Sequence, residues 1–218
     1  MVILLVAATE MEINEFLLTG LSEVNKHIEI DTLITGIGIA ASIYELTKTL
    51  TVKKYDYVIQ AGIGGSFSKK LNLGEVVTIS KDCFAEMGVS EKNNFKSFYE
   101  IGLIDGNVAP YENGWLNNQS SFEKHFKLKT AVGITVNGLT DSKKIIKLFK
   151  NKFVAEVETM EGASLHYTCL ILNQPFIQIR SISNFVGERN KEKWEIKIAL
   201  KNLNKELLSV IKTISKIK

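Results

Sequence analysis

Apolar residues along the chain fall into short dense runs set between stretches of helical period. Residues 2–8 form an unbroken apolar run, the pattern of a strand buried on both faces, and Thr9 follows as an N-cap for a helix reaching about Leu18. Residues 27–35 alternate as a second strand, after which Gly36-Ile37-Gly38 opens a helix over about 39–50. The pattern predicts a third strand at 55–61, ending in Gly62-Ile63-Gly64-Gly65, and a fourth at 76–80 after the turn Leu73-Gly74-Glu75. A strand at 130–136, a helix at 141–150, a strand at 153–157 and a helix at 160–172 follow. Pro175 enters another apolar run, which stops on Ser183-Asn184. The last helix, from about Lys191, places Leu200, Leu203, Leu207, Val210, Ile211 and Ile214 on one face. Residues 87–116 are polar and weakly periodic, which predicts a functional or mobile loop.

This alternation, without linker or repeat, predicts one α/β domain over residues 1–218. Its central sheet is mixed and largely parallel, with helices on both faces. At 45% hydrophobic and 23% charged residues, the chain can bury a sizeable core. The net charge of +3 is spread thinly, and the lysines of the last helix alternate with apolar residues as on a solvated face, so no nucleic-acid partner is expected. The N-terminal run has no basic flank and leads straight into Thr9-Glu10-Met11-Glu12, so it reads as a strand and not as a signal or membrane segment. Cys83 and Cys169 lie far apart, as reduced thiols of a cytoplasmic protein would. His27, His125 and His166 form no ligand pair, so no metal site is expected.

Candidate chemistry collects at predicted strand ends, where an open α/β sheet binds ligands. Gly36-x-Gly38-x-x-Ala41 matches a dinucleotide-binding fingerprint, but it follows the second strand, and Asp56 begins the next strand instead of ending it. The glycines at 62–65 let backbone amides approach a ligand, or serve only a sharp turn. Glu12, Glu158 and Glu161 stand just after strand ends. The run Glu158-Thr159-Met160-Glu161-Gly162-Ala163 puts two carboxylates and a methionine on one strand-to-helix connection. Ser183 and Asn184 end the strand after Pro175; both also suit an ordinary turn.

In this combination and order, Glu12, the 61–65 cluster, Val136-Asn137-Gly138, the 158–161 connection and Ser183-Asn184 resemble the purine nucleosidase and nucleoside phosphorylase superfamily that includes methylthioadenosine nucleosidase. The resemblance runs from Met1 to the final helix. It implies a homodimer or higher homo-oligomer acting on a small nucleoside, with cleavage of a purine N-glycosidic bond and no cofactor. By position it implies that Glu12 orients and deprotonates the attacking water. Glu161 would hydrogen-bond the ribose hydroxyls, Met160 would pack on the sugar, and Val136 would lie beside the base. Gly62, Ile63, Gly64, Asn137, Glu158, Ser183, Phe185 and Arg189 complete the expected substrate-binding set.

Asn184 stands where adenine-specific members carry an aspartic acid that protonates N7. Adenine offers an acceptor at N7 and a donor at the 6-amino group, whereas a 6-oxopurine offers acceptors at both N7 and O6, matched by the two donors of an amide. Asn184 therefore predicts hypoxanthine or guanine as leaving group. Phosphorylases of the superfamily hold phosphate with several arginines. This chain has two, Arg180 and Arg189, which favours water as nucleophile. Residues 183–190 followed by Trp194, with Gly62-Ile63-Gly64-Gly65-Ser66-Phe67, resemble the futalosine hydrolases of the alternative menaquinone pathway. Their substrate carries hypoxanthine and a distant benzoate, which Arg189 would pair with and Phe185 or Trp194 would stack near. The other readings are a methylthioadenosine-type or broad purine nucleosidase, a phosphorylase, a nucleoside-binding protein without turnover and, last, a dinucleotide-dependent enzyme.

Overall fold

The computed structural model describes residues 1–91, 94–118 and 124–217. In chain order the elements are β1 (Val2–Ala7), α1 (Glu10–Leu18), β2 (Glu29–Ile34), α2 (Ile39–Val52), β3 (Tyr57–Ser66), β4 (Val76–Asp82), the hairpin of β5 (Gly88–Glu91) and β6 (Asn94–Ser97), and β7 (Leu116–Asn117). There follow β8 (Lys129–Thr135), α3 (Lys143–Phe153), β9 (Val157–Thr159), α4 (Gly162–Ile171), β10 (Phe176–Phe185) and α5 (Ile196–Ile217). Among the described residues no helix is long and apolar enough to cross a membrane.

The sheet is mixed and partly closed. β3 pairs in parallel with β1 and β10, and its last residues pair antiparallel with β9. β10 continues to β4, β4 to β8 and β8 back to β9, so five strands form a ring through β3, while β1 and β2 extend from it in parallel. β1 is apolar throughout because both its faces are covered. Ile3, Leu5 and Ala7 join a cluster with Ile13, Phe16, Ile177, Leu203, Leu207 and Ile211, which seats α1 and α5. Leu4 and Val6 face Leu46, Leu50, Leu165 and Cys169 of α2 and α4. Each such aliphatic or aromatic side chain contributes roughly 1.5–3 kcal/mol through the water it leaves.

Four boundaries differ from the sequence pattern. The glycines at 62–65 lie inside β3 and pair with β10 and β9, so they are not a turn after the strand. β10 runs on through Ser183, Asn184 and Phe185, with a bulge between Ile182 and Asn184, because β3 offers backbone partners as far as Ser66. Phe153 ends α3 and packs with Phe149 and Trp115, which confines β9 to three residues and puts Glu158 within a strand. The weakly periodic 87–116 segment contains the β5–β6 hairpin and the tilted ring pair of Tyr99 and Tyr111.

Candidate active site

A cavity of about 280 Å³ opens where the start of α1, the end of β3, the β9–α4 connection and the end of β10 converge. Among the described residues, none that line it comes from the 87–116 segment.

Glu12 is placed by its own helix. Thr9 is the N-cap of α1, and its backbone N–H donates to Glu12 Oε2 at 3.0 Å, the arm of a capping box that fixes the third helical residue. The Thr9 hydroxyl donates to the same oxygen at 3.2 Å, and Ile63 N–H donates to Oε1 at 3.1 Å. A carboxylate has about four lone-pair positions. Three are taken, and the remaining one on Oε1 is free to hold a water.

Beneath Glu12 lies Arg180, which is 1% exposed and the largest fully buried side chain among the described residues. Its Nη2 donates to Gln60 Oε1. Gly62 makes room for it: a Cβ there would stand 2.0 Å from Arg180 Nη1 and 2.9 Å from Glu12 Oε1. The guanidinium and the carboxylate thus share the space that a side chain at position 62 would fill. Gly62 acts by being small and does not itself line the cavity.

Glu161 precedes α4 and is 6% exposed, with Oε1 accepting the backbone N–H of Gly38 at 2.9 Å. Burial pushes its pKa up, against the pull of Arg180 and the Gly38 amide. The Gly38 amide is the one that a dinucleotide fingerprint would turn toward a phosphate. Here it serves the carboxylate.

At the β10 bulge, Ser183 Oγ lies 2.7 Å from Asn184 Oδ1 and 3.2 Å from Gly64 O, so the shorter contact takes the hydroxyl proton. Asn184 Nδ2 donates to Phe185 O at 3.2 Å. The amide is thereby oriented, with one N–H left for a ligand where the sequence argument counted two.

Glu158 is 5% exposed and lines the cavity, and burial raises its pKa to about 7, with Glu86 adding to the rise and Arg189 opposing it. Met160 lines the cavity between the two acids, and Ile63 and Gly64 form part of its wall. The exposed Arg189 reaches the rim together with Trp194, whose indole N–H donates to Glu188 O at 2.9 Å.

Besides Gly62, three predicted residues lie off the wall. Val136 is buried against Phe67, Ile134 and Phe149. Asn137 Oδ1 accepts Ile39 N–H at 3.2 Å and so holds the start of α2, while its backbone N–H donates to Glu86 Oε2 at 2.7 Å. Half-buried Phe185 contributes its carbonyl to Asn184 but does not line the cavity. Sequence reasoning assigned Arg180 no role of its own beyond its place in the Arg180–Asn184 run and the arginine count, and assigned none to Met11, Ile37, Leu139 and Thr140, which line the mouth. Arg180 had a signal, since an arginine inside an apolar strand run is buried only when something holds it. The mouth residues had none.

Residues 31–216 match the model of a family described as the phosphorylase superfamily. The chain belongs to that superfamily. Its relatives include a 5′-methylthioadenosine/S-adenosylhomocysteine nucleosidase of Buchnera aphidicola, 26% identical over 192 residues, covering 84% of this chain and 78% of the relative. They also include a futalosine hydrolase of Thermus thermophilus, 26% identical over 174 residues, covering 78% and 76%. Among solved structures, a Colwellia psychrerythraea 5′-methylthioadenosine/S-adenosylhomocysteine nucleosidase in complex with adenine superposes with a TM-score of 0.80 at 17% identity, over 98% of this chain and 95% of that one. Futalosine hydrolase of Helicobacter pylori gives 0.77 at 19% identity, over 97% of each chain. At these identities the structures show a common fold.

Proposed function

We propose that this member of the phosphorylase superfamily hydrolyses the N-glycosidic bond of futalosine, releasing hypoxanthine. The coarser part of the reading, nucleosidase chemistry with water as nucleophile, is common to the relatives named above. The observation that carries the finer part is Asn184. It is an amide, clamped by Ser183 so that it turns an N–H and no carboxyl toward the cavity. As the bond to the ribose breaks, negative charge builds on the purine, and a fixed donor at N7 stabilises it. Glu12, with one lone pair left beside Arg180, holds and deprotonates the attacking water. Glu161 takes the ribose hydroxyls. Arg189 at the rim pairs with the distant carboxylate of the substrate.

The second reading, a 5′-methylthioadenosine/S-adenosylhomocysteine nucleosidase, is favoured by the names of several relatives. One assay separates the two: the protein is incubated with futalosine, inosine and methylthioadenosine, with and without phosphate, and the released base is measured. Hypoxanthine from futalosine, independent of phosphate, is the expected result. Faster release of adenine from methylthioadenosine would overturn the reading. A homo-oligomer belongs to the same proposal, because Met11, Ile37 and Leu139 leave apolar surface exposed at the cavity mouth for a second copy to cover.

A further inference from the structure

The oriented Asn184 amide has no acid proton to give N7, which sets it against an adenine leaving group, but its one free N–H can donate to N7 of either base. Reading the rest of the base edge therefore needs a second group, and the register of the sheet identifies it. Gly65 is paired with Asn184 on β10 and with Glu158 on β9. Directly paired residues point to the same face of a sheet, so these three stand in one row, with about 4.8 Å between neighbouring strands. The middle member has no side chain, and a Cβ at Gly65 would stand 3.3 Å from Asn184 Nδ2 and 3.1 Å from Val186 Cγ2. The row is a slot with an amide at one end and a carboxylate at the other.

Glu158 carries a signature of a ligand-binding group. It is 5% exposed and lines the cavity, and among the described residues its Oε2 has no hydrogen-bond partner. A buried acceptor left unpaired costs on the order of 1–3 kcal/mol, which a structural role would not explain. Glu12 and Glu161, by contrast, each accept backbone amides.

We propose that Glu158 is the specificity residue for the base, its carboxylate accepting the N1–H of a 6-oxopurine whose N7 edge is held by Asn184 across the Gly65 slot. This rests on the nucleosidase reading above and assigns its base class. The chemistry is directional. A 6-oxopurine presents a donor at N1, which suits an ionised carboxylate. A 6-aminopurine presents an acceptor at N1 and a donor at the amino group, which suits a protonated acid or an amide. Selectivity then follows the ionisation of Glu158. The charged groups around it are Glu86 after β4, Arg189 and Glu188 on the loop after β10, Glu161 before α4 and Glu12 from α1. The pKa raised to about 7 places the change within reach of assay. A group whose pKa is raised loses its proton only above that pH, so preference for the 6-oxo base rises as pH passes upward through about 7.

The test uses two substrates that differ only at position 6, futalosine and its 6-amino analogue, with inosine and adenosine as a second pair. The ratio of kcat/KM, 6-oxo over 6-amino, is measured on both sides of about pH 7 in the wild type and in Glu158→Gln. In the wild type the ratio is expected to rise at least about tenfold with pH. In Glu158→Gln, an amide that mimics the protonated acid, it is expected to be flat and lower by on the order of 100-fold. In parallel, calorimetry with the wild type compares free hypoxanthine with 1-methylhypoxanthine, which lacks N1–H. Weaker binding of the methylated base is expected, and this arm needs neither the 5′ group nor a folded variant. Equal binding of the two bases, or an unchanged, pH-independent ratio in a folded Glu158→Gln protein, would overturn the proposal. Absence of base release from futalosine alone, with the inosine–adenosine ratio behaving as expected, would count against the 5′ assignment and leave Glu158 as the base reader.

Discussion

Gly62 shows how much of this site depends on one missing atom. Arg180 and Glu12 carry opposite charges, and each occupies space that a Cβ at position 62 would need, at 2.0 Å from Nη1 and 2.9 Å from Oε1. Gly62→Ala therefore has to displace the buried guanidinium, which is held to Gln60 and surrounded by strand backbone. Overpacking of this kind costs about 1–3 kcal/mol. The larger effect is expected in turnover, because the lone pair of Glu12 proposed to hold the attacking water faces the same space. A fall in kcat of about 100-fold or more, with the protein still folded by circular dichroism, is the expected outcome, and near-normal kcat would show that the Arg180–Glu12 arrangement is not part of the chemistry. Sequence alone marked Gly62 for the right neighbourhood and the wrong reason. It was read as a glycine admitting a ligand, and its neighbour across the strand pair is an arginine.

At the scale of elements, the site is held by contacts that periodicity does not reveal. The helical faces, the buried strands and the alternation of layers were legible because burial imposes periods of 3.6 and 2 on the sequence. The extension of β3 and β10 past their apolar runs was not legible, because pairing of backbones across Gly64, Gly65 and Asn184 leaves no hydrophobic trace. Nor was Asn204. This residue of α5, 4% exposed, accepts Phe16 N–H at 2.8 Å and donates to Glu12 O at 3.0 Å, the two groups that i to i−4 bonding in a helix pairs with each other. Asn204 thus bridges both groups from α5 and ties that helix to the turn of α1 that carries Glu12. In Asn204→Ala both groups keep each other as helical partners, so stability is expected to fall by only about 1–2 kcal/mol. The turn carrying Glu12 loses its tie to α5. The expected signature is a kcat reduced more than tenfold at nearly unchanged KM; equal losses in both would point to general loosening instead.

On the scale of the whole molecule, closing five strands into a ring places polar side chains where water does not reach. Gln60 and Gln178 are registered on β3 and β10, followed by Arg180, on the strand faces shared with Val58 and Phe176 that turn toward α4. His166 of α4 and Asp82 at the end of β4 are both fully buried near them. Asp82 Oδ1 accepts the Thr135 hydroxyl at 2.9 Å and Cys83 N–H at 2.8 Å, while the Gln178 side chain lies beside Oδ2. Burial pushes the Asp82 pKa from 3.8 to about 7, against Thr135 and Arg180, and drives His166 from 6.5 down to about 4. The signs oppose. The folded state keeps a proton on Asp82 where the unfolded chain has lost it, so this residue's contribution to stability rises as pH falls from about 7 toward 3.8. The folded state refuses a proton on His166 that the unfolded chain accepts, so that contribution falls between 6.5 and about 4. Asp82→Asn isolates the first. Its Oδ1 keeps both donors, and its amide can meet the neighbouring Gln178 side chain once that turns its carbonyl toward it. The variant is therefore expected to exceed the wild type in stability above about pH 7, on the order of 2 kcal/mol by denaturant titration, with the difference shrinking as the wild-type carboxyl protonates. A destabilised variant above pH 7 would mean that ionised Asp82 is held by Arg180 more strongly than burial opposes it, and that the ring interior carries a working ion pair.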